Sequence, residues 1–124
     1  MYHESKISEL VGKTFLRVFT HEEGIDFQAV GETFRMTHHQ DCCEGVYVDE
    51  IHGDLEDLVG TPILEAREDT NADLPPVNDW DECYMWTFYN IRTIKGSVTI
   101  RWYGTSNGYY SVSVCIDRYT AQGD

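Results

Sequence analysis

The sequence predicts an α+β fold, a single domain over residues 1–124 that is predominantly an antiparallel β-sheet meander with one or two short helices. Three observations predict it. Runs rich in β-branched and aromatic residues dominate the chain and alternate apolar with polar side chains, the period of a half-buried strand. The runs are separated by short glycine-bearing turns, the signature of antiparallel neighbours. Only two brief segments carry helix punctuation.

Taken in chain order, Ser5 followed by Ile7, Leu10, Val11 and Gly12 reads as a helix of one or two turns with a serine cap and a glycine stop. Thr14–Thr20, Ile25–Val30 and Thr33–His39 form the first meander, turning at Glu22-Glu23-Gly24 and at Gly31-Glu32. In its third strand Phe34, Met36 and His38 share one face and Arg35, Thr37 and His39 the other. Val46-Tyr47-Val48 with Ile51 makes a further strand, and 54–60 a capped helix closed by Gly60 and Pro62. Ile63–Arg67 reads as a strand, and Thr70–Trp80, with Pro75-Pro76 and several Asn and Asp, as a surface loop. Tyr84–Ile94, Ser97–Tyr103 and Gly108–Ile116 complete a second three-stranded meander, with Val98, Ile100 and Trp102 on one face of its middle strand.

A chain of 124 residues, 41% hydrophobic, holds enough apolar material for one core without staples. No stretch approaches the roughly 20 apolar residues of a membrane span, and the first residues lack the apolar run of a signal peptide. A cytoplasmic location is therefore expected, and with it four reduced thiols at Cys42, Cys43, Cys83 and Cys115.

The net charge of −13 is concentrated: residues 44–82 hold 13 acids and one base, Arg67. Such a field repels nucleic acid and anionic membranes and attracts basic protein surfaces. Direct nucleic-acid binding and membrane binding are thereby disfavoured, whereas a homo-oligomer is compatible with the pattern, since residues 85–120 carry four bases against Asp117.

Chemistry-bearing residues crowd into His38-His39-Gln40-Asp41-Cys42-Cys43. His38, His39, Cys42 and Cys43 are the residue types zinc prefers, and a turn at Gln40-Asp41 would be needed to converge them, because neighbours on an extended chain diverge. A cofactor is not expected beyond that zinc. Thiol catalysis is opposed by the adjacent Asp41 and Glu44, which would raise a thiol pKa. Phosphate loops, nucleophile elbows and His-Glu-x-x-His are missing, so the chain reads as a non-enzyme. In the C-terminal meander Trp86, Arg92, Arg101, Tyr103 and Tyr109 combine rings and guanidinium groups that would stack and hold a nucleotide, the same residue types that ordinary sheet packing uses.

Two tracts carry a family resemblance: His38–Glu44 running into Val46-Tyr47 and Gly53-Asp54-Leu55, and Trp86–Tyr89 running through Ile94-Lys95-Gly96, Val98–Gly104 and Ser106–Ser111. Over roughly residues 33–114 the chain resembles a family of small uncharacterised phage and bacterial proteins. The resemblance implies a phage or prophage accessory gene and assigns no activity. Together with the charge it gives the leading expectation: an anti-CRISPR-like inhibitor that presents Asp49, Glu50, Asp54, Glu56 and Asp57 to a basic, nucleic-acid-binding effector. The alternative is a nucleotide or zinc binder.

Overall fold

The computed structural model describes residues 2–40, 43–71, 74–106 and 111–120. Among the described residues nine strands form: β1 (Tyr2–Ser5), β2 (Arg17–His21), β3 (Gly24–Ala29), β4 (Glu32–Thr37), β5 (Gly45–His52), β6 (Glu65–Asn71), β7 (Cys83–Thr93), β8 (Gly96–Ser106) and β9 (Cys115–Thr120). They assemble as a five-stranded sheet in the order β1-β9-β4-β3-β2 and a four-stranded sheet in the order β5-β8-β7-β6. Every ladder is antiparallel. Among the described residues the helical content is two 3₁₀ turns, Ile7–Leu10 and Leu55–Leu58. The architecture is therefore predominantly β, and the α of the expected α+β class reduces to those turns. Among the described residues no helix is long and apolar enough to cross a membrane.

Local sequence explains each turn. Asp54 accepts a hydrogen bond from the Glu56 amide at 2.9 Å and so starts the second 3₁₀ turn. The first turn begins at Lys6 rather than Ser5, because residues 2–5 are drawn into β1 by pairing with β9. Tight hairpins join β2 to β3 and β3 to β4. Gly24 has φ of +148°, and a Cβ there would lie 1.9 Å from the Met36 carbonyl oxygen, so only glycine fits.

The second meander is shorter than expected. β6, β7 and β8 pair in sequence, but β9 leaves for the other sheet, where it lies between β4 and β1. The physical reason is that β8 already has β7 on one edge and β5 on the other, leaving no backbone donors or acceptors for a third neighbour. Ahead of β9, Val112 packs on Gly104, whose missing side chain admits it; a Cβ there would sit 2.7 Å from the Val112 Cβ.

The inner faces of both sheets share one core. Phe27, Phe34, Met36 and Ile116 come from the five-stranded sheet, and Tyr89, Ile91, Val98, Ile100 and Trp102 from the four-stranded one. Trp102 spans the gap, its indole N–H lying 3.1 Å from the Met36 sulfur. Phe15 packs on Phe27 and Phe34, with centroids 5.5 and 6.0 Å away. Backbone hydrogen bonds between 12–16 and 60–63 close one end of this core, among them Gly60 N–H to Phe15 O at 2.9 Å.

Replacing Trp102 by Ala removes the largest ring between the sheets and leaves a cavity. Urea denaturation should show a loss of about 3–5 kcal/mol, against less than about 0.5 kcal/mol for Leu16→Ala on the exposed surface.

Candidate functional site

Strand alternation sends His38 and His39 in opposite directions, so the two histidines do not share a ligand. His38 is 5% exposed and lies 2.8 Å from the Glu44 carboxylate, itself fully buried. Its Nδ1 sits 2.6 Å from the Ser113 carbonyl oxygen, an acceptor, and so donates there. With Nδ1 engaged there, Nε2 faces the Glu44 carboxylate. His38 thus ties the end of β4 to the start of β5 and to the chain entering β9. Gln40 reinforces the connection by donating to the Glu44 carbonyl at 2.6 Å.

Cys43 is disulfide-bonded, while Cys83 and Cys115 carry free thiols, which departs from four reduced cysteines. Cys42 lies outside the described residues. Among the described residues no group of three or more His, Cys, Asp and Glu side chains is arranged to hold a metal ion.

His39 projects onto the outer face of the five-stranded sheet, its Nε2 2.6 Å from Asp117. There the register aligns Asp26 on β3, Arg35 on β4 and Asp117 on β9. Arg35 grips Asp26 through two hydrogen bonds of 2.8 and 3.1 Å and reaches Glu23 at 3.6 Å. His21 donates from Nε2 to the same Asp26 at 2.8 Å, and its Nδ1 accepts the Glu23 amide at 3.1 Å, which fixes the neutral tautomer. Arg35 and Asp117 of this row line a basin of about 430 Å³, together with Glu22, Glu23, His39 and Tyr119.

Burial pushes the Asp26 carboxyl up, but the hydrogen bonds from Arg35 and His21 and their charge outweigh it, and its pKa falls below the ordinary value. The same pair raises Arg35. The nearest thiol, Cys115, is pushed up by burial and then by Asp117, the opposite of an activated nucleophile. The basin is thus lined by an oriented ion-pair network.

On the four-stranded sheet, an extra residue at Asp49 breaks the register between Val48 and Glu50. That bulge aims both carboxylates at Arg101, at 2.6 and 2.7 Å. Asp49 and Glu50 therefore spend their charge within the fold. Arg101 in turn lies over the Trp86 ring, 5.1 Å from its centroid. Trp86 and Tyr103 are only 7% and 1% exposed, because residues 75–81 cover them. Trp86 donates to the Pro75 carbonyl at 3.0 Å; Tyr103 donates to Asp81 at 2.6 Å and accepts the Val77 amide at 3.1 Å. Burial, and then the hydrogen bond to Asp81, push the Tyr103 phenol up to about 12. The rings expected to stack a nucleotide are thus packed under protein, and Arg92 lies at the far end of β7, paired with Glu65. Tyr109 lies outside the described residues. Asp54, Glu56 and Asp57 sit together on the second 3₁₀ turn, with Asp54 and Glu56 exposed.

A family model described as a domain of unknown function, DUF7448, matches residues 8–116. The chain belongs to that family. The DUF7448 match takes in the second 3₁₀ turn, the 75–82 loop and both tracts quoted above, and leaves out β1 and most of β9, Asp117 included. No curated protein and no solved structure matches the chain.

Sequence reasoning missed the Asp26–Arg35 pair, although both residues stand equally far from the Val30-Gly31 turn, which places them opposite one another in a hairpin. It also missed Trp80, a ring 77% exposed on the covering loop.

Replacing Asp26 by Asn should strand Arg35 and lower stability by about 2 kcal/mol at neutral pH, below the usual figure for a buried pair because Arg35 is one-third exposed. The folded carboxyl binds its proton less tightly than the unfolded one, so its stabilisation is complete above the ordinary carboxylate value and is lost as pH falls through the folded value. Thermal melts should show the gap between wild type and Asn variant closing in acid.

Proposed function

We propose that this domain is a non-enzymatic binding protein of phage or prophage origin. In this reading it occupies the basic, nucleic-acid-binding surface of a host defence effector, a CRISPR-type nucleoprotein among them, and inhibits it by acidic mimicry. The observation that carries the reading is the way charge is spent. Of nine cations, Lys13, Arg35, Arg67, Arg92, Arg101 and Arg118 are ion-paired within the fold. With so much positive charge absorbed locally in a chain of net charge −13, exposed carboxylates such as Asp54, Glu56, Asp79 and Glu82 are left to set the surface field.

Asp54, Glu56 and Asp57 are the acids best placed to meet a partner, since a short turn fixed by its own cap displays them with little ordering left to lose. Asp49 and Glu50 hold Arg101 and shape the face beside them. Long-range attraction of this kind acts chiefly on encounter rate and choice of partner, and weakens with salt. The phage setting rests on the family resemblance, and the acidic surface supplies the physical means.

The test is competition. Binding of the protein to a purified CRISPR effector should be displaced by duplex DNA and should weaken as salt is raised. Reversal of Asp54 and Glu56 to Lys should slow association about tenfold with the melting temperature held. Binding indifferent to DNA and to these reversals would exclude mimicry.

A further inference from the structure

Trp80 stands out among the aromatic residues because the loop that carries it is not loose. Residues 75–81 are fastened to the outer face of the four-stranded sheet from below: Trp86 holds the Pro75 carbonyl, and Tyr103 holds both the Val77 amide and the Asp81 carboxylate. Asp81 also closes the loop on itself, accepting the Asn78 amide at 3.3 Å while its own amide donates to the Asn78 carbonyl at 3.0 Å. The inward residues do all the fastening, and Trp80 and Val77 are left outside, 77% and 49% exposed.

A buried indole is worth several kcal/mol, so a fixed loop that turns one outward forgoes that stabilisation. What it provides is a flat ring held in place before any partner arrives, which lowers the entropy lost on binding. The surrounding charge identifies the partner. Between Leu74 and Cys83 the chain has Asp79, Asp81 and Glu82 and no base, with Asp79 and Glu82 exposed one residue before and two residues after Trp80 in sequence. An exposed indole in an acidic, base-free segment matches a guanidinium group, which stacks on a ring face and pairs with carboxylates.

We propose that the 77–82 loop is a docking surface for an arginine-bearing basic protein, with Trp80 as its anchor and Asp79 and Glu82 as its flanking acids. This rests on the acidic-binding reading above and adds a second contact at the opposite end of the same sheet. The second 3₁₀ turn meets β7 at Thr93, whose hydroxyl donates to the Asp57 carbonyl, whereas the loop enters β7 at Cys83. Trp86, which holds the loop, stands seven residues before Thr93 on the 11-residue strand, roughly 23 Å away. A partner engaging both would span the length of the sheet.

The experiment measures a fluorescently labelled oligoarginine peptide binding to wild type, Trp80→Ala, Trp80→Tyr and the Asp54, Glu56 reversal, with oligoglutamate as the control probe. Sedimentation of each protein alone is run beside it. Wild type should bind oligoarginine and not oligoglutamate, Trp80→Ala should weaken binding about tenfold with an unchanged melting temperature, and Trp80→Tyr should recover most of the loss. Equal affinity of wild type and Trp80→Ala would overturn the proposal, and if the Asp54, Glu56 reversal alone abolished binding, the acidic-binding reading would survive without it. Failure of wild type to bind the peptide, or a dimer that disappears in Trp80→Ala, would also overturn it, the latter by assigning the ring to a second copy of this chain.

Discussion

The saturation of β8 governs this architecture. With β7 and β5 on its two edges, β8 has no hydrogen-bonding capacity left for the strand that follows it in sequence. β9 must therefore find another edge, and it inserts between β4 and β1. That crossing brings Ile116 into register with Met36 within the five-stranded sheet and adds it to the core that the two sheets share. It also delivers Asp117 to a position beside Arg35 and beneath His39. The ion-pair basin on one outer face and the buried His38–Glu44 contact are consequences of the same route.

The two outer faces solve the problem of polar burial differently. On the five-stranded sheet, buried carboxylates are held by histidine and arginine across neighbouring strands. The four-stranded sheet instead carries an aromatic layer in which Tyr47, Tyr84 and Trp86 each pack on Tyr103, and a loop buries Trp86 and Tyr103. Trp86 and Tyr103, with centroids 4.5 Å apart, form its centre, and their polar atoms fasten the loop backbone. A sheet face rich in rings and Arg thus becomes a platform for a displayed loop rather than an open stacking surface. Six of the nine Lys and Arg side chains are ion-paired within the fold, while Asp54, Glu56, Asp79 and Glu82 stand exposed.

Much of the fold was legible in alternation. Phe34 with Met36, and Val98 with Ile100 and Trp102, point inward as period two requires, and the β2-β3-β4 meander follows from its glycine-bearing turns. Residues governed by distant partners were not legible. Tyr103 lies on the face that alternation assigns to solvent, yet a loop 22 positions away buries it. The His39–Asp117 contact joins residues 78 positions apart, and no local pattern signals it. Asp49 and Glu50 read as partner acids because a bulge that turns both onto Arg101 leaves no mark in composition. The 54–60 segment was placed correctly but is a 3₁₀ turn, since four residues are too few to complete an α-helical ladder.

In the proposed function the exposed carboxylates and the displayed ring, not the ion-pair basin, meet the partner. Backbone amide NMR of the labelled protein titrated with a purified basic effector fragment distinguishes the two surfaces. Shift changes are expected at residues 54–57 and 77–82, with the amides of Asp26, Arg35 and Asp117 unmoved. Changes centred on Arg35, His39 and Asp117, with the two acidic segments silent, would contradict it.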